Sequence, residues 1–224
     1  MRVLVVSLNR SGSSVAAALA AATHGLVNYG EVFADDNPRS PRGDIIGHLL
    51  TADNYVGKIM MFVVNPEQFN YRTFDWSRID RVILTTRKVE DQIASWLFVN
   101  QMYVQFTKGK NLSYQEHRNI INTFVGSLDL TPQTFPYIKA QFELFHEVSD
   151  FIHEHVPPER RCTIPFDVYT QENAAKRLSD LTGWDITPKI LEDLAARKSN
   201  TDYRRQITNY GELAVHIQRH GITY

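Results

Sequence analysis

The run Arg2-Val3-Leu4-Val5-Val6-Ser7-Leu8-Asn9-Arg10-Ser11-Gly12-Ser13-Ser14-Val15 constrains the fold more than any other stretch. Val3 to Val6 are consecutive apolar, mostly β-branched residues, the pattern of a short strand buried on both faces of a parallel sheet. Asn9 to Ser14 is a polar turn with one glycine, and Val15 to Ala22 is Ala- and Leu-rich and favours helix. A strand that feeds a polar turn and then a helix presents free backbone N–H groups and the positive end of a helix dipole to the occupant of the turn. An anion suits that position. Arg10 and the hydroxyls of Ser11, Ser13 and Ser14 add matching donors; the alternative is an Arg/Ser-rich turn that only caps a helix. The turn is not a Walker A loop, which has Gly, four residues, then Gly-Lys-Ser/Thr. Here no glycine leads, Arg10 precedes Gly12, and no lysine follows it.

Further strands are expected at residues 25–29, at 58–64 (Lys58 to Val64, ended by Asn65-Pro66) and at 81–86, with a late one at 161–166. Lys58, at the start of its expected strand, reads as a surface or entry residue. A polar, Pro-broken loop covers 35–43, and Ile45 to Leu50 suits a short helix. Helical periodicity begins at Val89 and breaks at Gly109, where Ser113 and Glu116 form a capping-box pattern for a second helix to Val125. It continues through Ile138, Phe142, Phe145, Val148, Ile152 and Val156 to Pro157-Pro158. Helices are also expected over Glu172–Leu181, after Thr187-Pro188, and over Asp202–Arg219. Strands separated by helices imply right-handed crossovers and a mostly parallel central sheet flanked by helices, with a helical C-terminal half. Ligands in such sheets bind outside the carboxyl ends of the strands.

At 224 residues, 43% apolar and 22% charged, the chain suits one soluble α/β domain spanning 1–224. A formal net charge of −1 gives no support for bulk nucleic-acid binding. The single cysteine, Cys162, excludes an internal disulfide and a Cys-based zinc site, and reads as a buried thiol. His146 and His153 share a helix face, which reads as solvated rather than metal-binding. The first strand begins by residue 3, leaving no room for a signal peptide, and no stretch is apolar over ~18 residues. No membrane span and a cytoplasmic location are therefore expected.

A second informative run is Ile83-Leu84-Thr85-Thr86-Arg87-Lys88-Val89-Glu90-Asp91-Gln92-Ile93-Ala94-Ser95. Arg87 leaves the strand, and Ser95 follows about two helical turns later. An arginine fork and a serine hydroxyl there suit one phosphate gripped from two sides; a strand-end salt bridge of Arg87 with Glu90 or Asp91 is the alternative.

The pairing of Asn9-Arg10-Ser11-Gly12-Ser13-Ser14 with Arg87 and Ser95 resembles the sulfotransferases that use 3′-phosphoadenosine 5′-phosphosulfate. In that family the first turn holds the 5′-phosphosulfate and the Arg/Ser pair the 3′-phosphate. Both spacings are matched here, with Asn9 in place of the usual proline. Ile164 to Val168 and Leu178 to Gly183 are similar to later family stretches, so the resemblance covers about residues 2–184. It implies a P-loop NTPase-like three-layer sandwich and metal-free transfer of a sulfuryl group to a small-molecule or carbohydrate hydroxyl, leaving 3′,5′-adenosine bisphosphate. It also implies that Arg10 stabilises charge on the leaving phosphate while Ser11, Gly12, Ser13 and Ser14 bind the donor. Gly30-Glu31-Val32-Phe33 resembles the Gly-Glu-x-Phe of some bacterial members, where the Glu is the base, so Glu31 is the expected base with His24 and His48 as rivals. The family places a basic loop against the 3′-phosphate, here Arg197 and Lys198, without its usual glycines. The aromatic segments 65–76 and 98–107 either line an acceptor pocket or pack the core. An atypical P-loop kinase and a non-catalytic nucleotide-binding protein of the same fold are the competing readings.

Overall fold

The computed structural model describes residues 1–34, 37–61, 68–107, 114–131, 133–195 and 203–223. The chain divides into two compact units, Met1–Arg87 with Glu143–Lys198, and Lys88–Phe142 with Ser199–Tyr224.

The first unit is built on five parallel strands: β1 (Arg2–Ser7), β2 (Val27–Glu31), β3 (Tyr55–Met60), β4 (Arg81–Thr86) and β5 (Arg161–Pro165). Their order is β2-β3-β1-β4-β5. β1 is central, which is why Val3 to Val6 form an unbroken apolar run. On one face, Val3 and Val5 of β1, Val56 of β3 and Ile83 of β4 pack against α1 (Ser13–His24). Leu178 of α6 (Ala174–Thr182) and Leu194 of α7 (Pro188–Ala195) join that core. Ala16 to Ala20 are all buried, so alanine here brings helix and sheet close rather than marking a solvated surface. On the other face, Gly57 sits between Leu4, Val32 and Leu49, the last from α2 (Ile45–Thr51).

The α/β expectation with a parallel sheet and helices against both faces is met, and the bounds of β4 fall where the sequence put them. The third strand differs. It begins at Tyr55, after Asn54 turns the chain at φ 57, and ends at Met60; residues 62–67 lie outside the described residues. Lys58 is therefore the fourth residue of six and lies inside the strand. Its reading as a surface residue is wrong: it is only 7% exposed.

The second unit is helical. α3 (Val89–Met102) runs into one π-helical turn, Tyr103–Thr107; α4 (Tyr114–Thr123) and the first part of α5 (Thr134–His155) follow. The expected break at Gly109 and cap at Ser113 lie outside the described residues. The single final helix expected from periodicity is two, α8 (Tyr203–Gln206) and α9 (Tyr210–Arg219). Gly126 interrupts it by donating to Gln206 O and accepting from Thr208 N, a bridge opposite Ile207. Among the described residues no helix is long and apolar enough to cross a membrane.

A Cβ at Gly57 would stand 2.8 Å from Val32 Cγ1 and 3.4 Å from Leu4 Cδ2. Gly57→Ala is expected to cost about 1–3 kcal/mol by overpacking, read as a lower urea midpoint with an unchanged slope.

Candidate functional site

Strand order fixes where a ligand belongs. The chain leaving β1 goes to β2 on one side of the sheet, and the chain leaving β4 returns to β5 on the other. Neighbouring strands whose connections diverge open a crevice at their carboxyl ends. The β1–α1 turn and Arg87 both stand at that edge.

Backbone geometry builds the turn. Arg10 lies at φ 63 and Gly12 at φ 94, a left-handed pair that swings the chain from strand to helix. Gly12 is the N-cap of α1 and no side chain caps the helix; Val15 and Ala16 N–H donate to Gly12 O, so the N–H groups of Ser13 and Ser14 are the ones left without an intrahelical partner. Ser11 is buried; its hydroxyl donates to Leu8 O at 2.8 Å and sits 2.6 Å from Thr85 Oγ1, fastening the turn to β4. Ser13 is buried as well and turns its hydroxyl to the Met60 sulfur at 3.5 Å. Only Ser14 is exposed. Of the three hydroxyls expected as ligand donors, two therefore shape the turn and one remains at its surface.

Phe166, just after β5, packs against both halves of the site. A Cβ at Gly12 would stand 2.5 Å from Phe166 Cδ2, and the Arg87 guanidinium lies over the ring at 4.5 Å. Arg87 also donates to Arg10 O at 3.2 Å. The arginine is held by ring stacking and by the turn it serves, with its fork at the carboxyl edge.

Lys58 and Glu31 complete this edge. They are register partners on β3 and β2, and Lys58 follows Val56 on the α1 face of the sheet. Where α1 begins, that row changes from apolar to charged. The Lys58 ammonium donates to Ser14 Oγ at 2.9 Å and to Glu31 Oε1 at 3.0 Å. Its side chain is 8% exposed and that of Glu31 is 39% exposed. Beyond Glu31 the loop is pinned back: Asn37 Nδ2 donates to both Tyr29 O and Glu31 O at 2.7 Å, and Ser40 donates to Val32 O. The pinned loop helps wall a cavity of about 510 Å³ lined by Phe33, Asn37, Ser40, Arg42, Ile45 and Gln68.

The rival bases stand elsewhere. His24 ends α1, about 16 Å along the helix from Ser13 at its start. Its ring meets Trp184 edge-on at 4.7 Å, and burial and the nearby Arg81, at the amino end of β4, lower its pKa. His48 Nε2 lies 3.0 Å from the Tyr29 hydroxyl, and the Tyr29 ring stacks on Tyr55, the first residue of β3. In the second unit Ser95 is fully buried and its hydroxyl donates to the Tyr203 hydroxyl at 2.9 Å. Arg197 and Lys198 lie outside the described residues. Burial on β5 pushes the Cys162 thiol up to about 11, so it stays protonated near neutrality. Among the described residues of segment 65–76, Phe69, Phe74 and Trp76 pack together as core, Phe69 also against Phe33, and only Gln68 lines the cavity. Phe98 is core to the second unit, against Phe124 and Tyr203. Among the described residues no group of three His, Cys, Asp or Glu side chains is arranged to hold a metal. Lys58, Phe166 and Thr85 are the site residues that sequence reasoning gave no role. Phe166 had a signal, since it sits in the stretch matched on motif grounds.

Comparison of the sequence with protein-family models and with curated proteins returns no match.

Gly12→Ala meets both a positive φ and the Phe166 ring. It is expected to destabilise the fold by about 1–3 kcal/mol, read by denaturant titration, and to remove any anion binding at the turn, read by calorimetry. The lowered pKa of His24 has a definite sign. Stability from the neutral ring is complete above its ordinary value of 6.5 and is lost as pH falls through the lowered folded value. His24→Gln should therefore lose less melting temperature than the parent between pH 6.5 and 5, and should retain any turnover.

Proposed function

We propose that the protein is a sulfotransferase of P-loop-like fold that moves a sulfuryl group from 3′-phosphoadenosine 5′-phosphosulfate to a hydroxyl of an acceptor. One observation carries this reading: an uncapped helix N-terminus, a buried ammonium and a carboxylate meet at one edge of the sheet, joined through Lys58. The first two suit the charged end of a donor, and the third suits removal of a proton from the attacking hydroxyl. The motif resemblance of the turn and of Arg87 supports the nucleotide identity.

In this reading the phosphosulfate lies against the N–H groups of Gly12, Ser13 and Ser14, and Arg87 binds the 3′-phosphate. The acceptor oxygen attacks sulfur as the bond from sulfur to the bridging phosphate oxygen breaks. The acceptor's proton passes to the Glu31 carboxylate. The leaving 3′,5′-adenosine bisphosphate keeps the electron pair, and Arg10 offsets its new charge. Transfer of this kind asks the protein for alignment and charge neutralisation rather than covalent help. The cavity beyond Glu31, with Phe33 and Ile45 beside Asn37, Ser40 and Arg42, suits an acceptor that presents both C–H surface and hydroxyls.

Thermal stabilisation tests the nucleotide directly. 3′,5′-Adenosine bisphosphate should raise the melting temperature where equal ATP does not; stabilisation by ATP alone would make the protein a kinase-like nucleotide binder instead. Charge-assisted bonds contribute about 1.5–3 kcal/mol, so Arg87→Ala should raise the donor KM by about tenfold to a hundredfold. An unchanged donor KM would leave Arg87 a purely structural stacking partner of Phe166. Glu31→Gln should lower kcat by about a hundredfold or more in a folded protein.

A further inference from the structure

Lys58 has a chemistry that the reaction as described leaves unused. It is the most buried ammonium at the site, and both of its bonded partners belong to the functional edge: Ser14 in the first turn of α1 and Glu31 at the end of β2. Its stem is fixed by the strand. Lys58 is paired in register with Val5 on one side and with Glu31 on the other, so the ammonium's reach is set by the sheet rather than by a flexible loop. Glu31 differs in this respect. It is the last residue of β2, beyond an irregularity between Asn28 and Gly30, and its carboxylate is 39% exposed. Of the pair, the ammonium is confined and the carboxylate has room to leave.

From this we propose that Lys58 is an exchangeable partner: without ligand it holds the Glu31 carboxylate, and an anion seated on the α1 turn takes the ammonium over and releases Glu31. The carboxylate then stands in for the anion in the empty site. A lysine ammonium has three donors and no acceptor, and Ser14 already occupies one of them at the mouth of the turn. An anion reaching Ser14 lies beside the same nitrogen, where it competes with Glu31 for a cation already desolvated. Exchange keeps the buried charge neutralised throughout, which losing Glu31 alone would not. Arg87 stands on the β4 side, against Arg10 O and the Phe166 ring, whereas Lys58 reaches the α1 turn from β3.

The consequence rests on the proposed function in one respect, the role of Glu31 as base. A carboxylate oxygen engaged by the ammonium is not open to the acceptor hydroxyl, and one released from it is. Seating the donor would thus arm the base, and the acceptor would be activated only with the donor in place.

The exchange itself is tested without nucleotide, using inorganic pyrophosphate as the probe in calorimetric titrations of the full chain. Glu31→Asp keeps the negative charge but shortens the reach to Lys58, whereas Glu31→Gln removes the charge. Both should bind pyrophosphate about fivefold or more tightly than the parent, and Lys58→Met should bind it at least tenfold more weakly. In the Lys58→Met background, Glu31→Gln should change affinity by less than about twofold. Tightening by Glu31→Gln with none by Glu31→Asp would mean simple charge repulsion and would overturn the exchange. Equal tightening in the parent and Lys58→Met backgrounds would overturn it too. If Lys58→Met does not fold, the Asp/Gln comparison decides alone, since both substitutions are made at the partly exposed member of the pair and Ser14 still accepts from the ammonium. Tight pyrophosphate binding that ignores all these variants would reject the exchange while leaving the anion site standing. No pyrophosphate binding by the parent would reject both.

Discussion

The close seating of α1 on the central strands is the constraint from which the rest of the functional edge follows. Alanines at 16, 17, 18 and 20 are buried, and with Val15 and Leu19 they lay the helix against Val3, Val5 and Val56. A helix packed so closely must start at the carboxyl end of β1, and its first-turn N–H groups must open there. The short connection then requires left-handed backbone at Arg10 and Gly12, and the Ser11 hydroxyl ties it to Leu8 and Thr85. A turn with unpartnered N–H groups at the helix start is therefore a consequence of how the core packs.

The second consequence is electrostatic. Continuing the Val56 row by one step toward α1's start puts Lys58 in a position shielded from water. A desolvated ammonium is costly unless it is paired and hydrogen-bonded. Glu31 and Ser14 meet that demand, and in doing so they bring a carboxylate to the helix start. Cation, carboxylate and free N–H groups assemble because the sheet register demands it, while Phe166 fixes the turn and Arg87 from the β5 side. In the proposed exchange, the same demand makes the carboxylate a placeholder for a ligand anion.

How much of this is legible in the sequence depends on how local each signal is. The first strand, its turn and its helix were readable because each residue's role is set by its neighbours in sequence. β4 was equally plain, with turn residues before it and Arg87 after. Lys58 was misread because a lysine beside Ile59-Met60-Met61 looks like a strand's exposed start, and its partners lie 27 and 44 residues away. Ser95 shows the same limit. Its spacing from Arg87 is visible, but the hydroxyl bond to Tyr203, 108 residues on, is not. The final helix reads as continuous because its apolar period survives across Thr208 and Asn209; Gly126, which breaks it, is remote in sequence. Gly12 was legible as a turn residue, but its second reason for being glycine, the Phe166 ring, belongs to the tertiary structure.

The central claim is that the carboxyl edge of β1 and β4 is a seat for the phosphates of a nucleotide. Amide chemical shifts followed by NMR during titration with 3′,5′-adenosine bisphosphate test it most directly. The account requires saturable shifts concentrated at Gly12, Ser13, Ser14 and Arg87, with Lys58 and Glu31 responding in step. Shifts confined to other parts of the chain, or none at saturating bisphosphate, would contradict it.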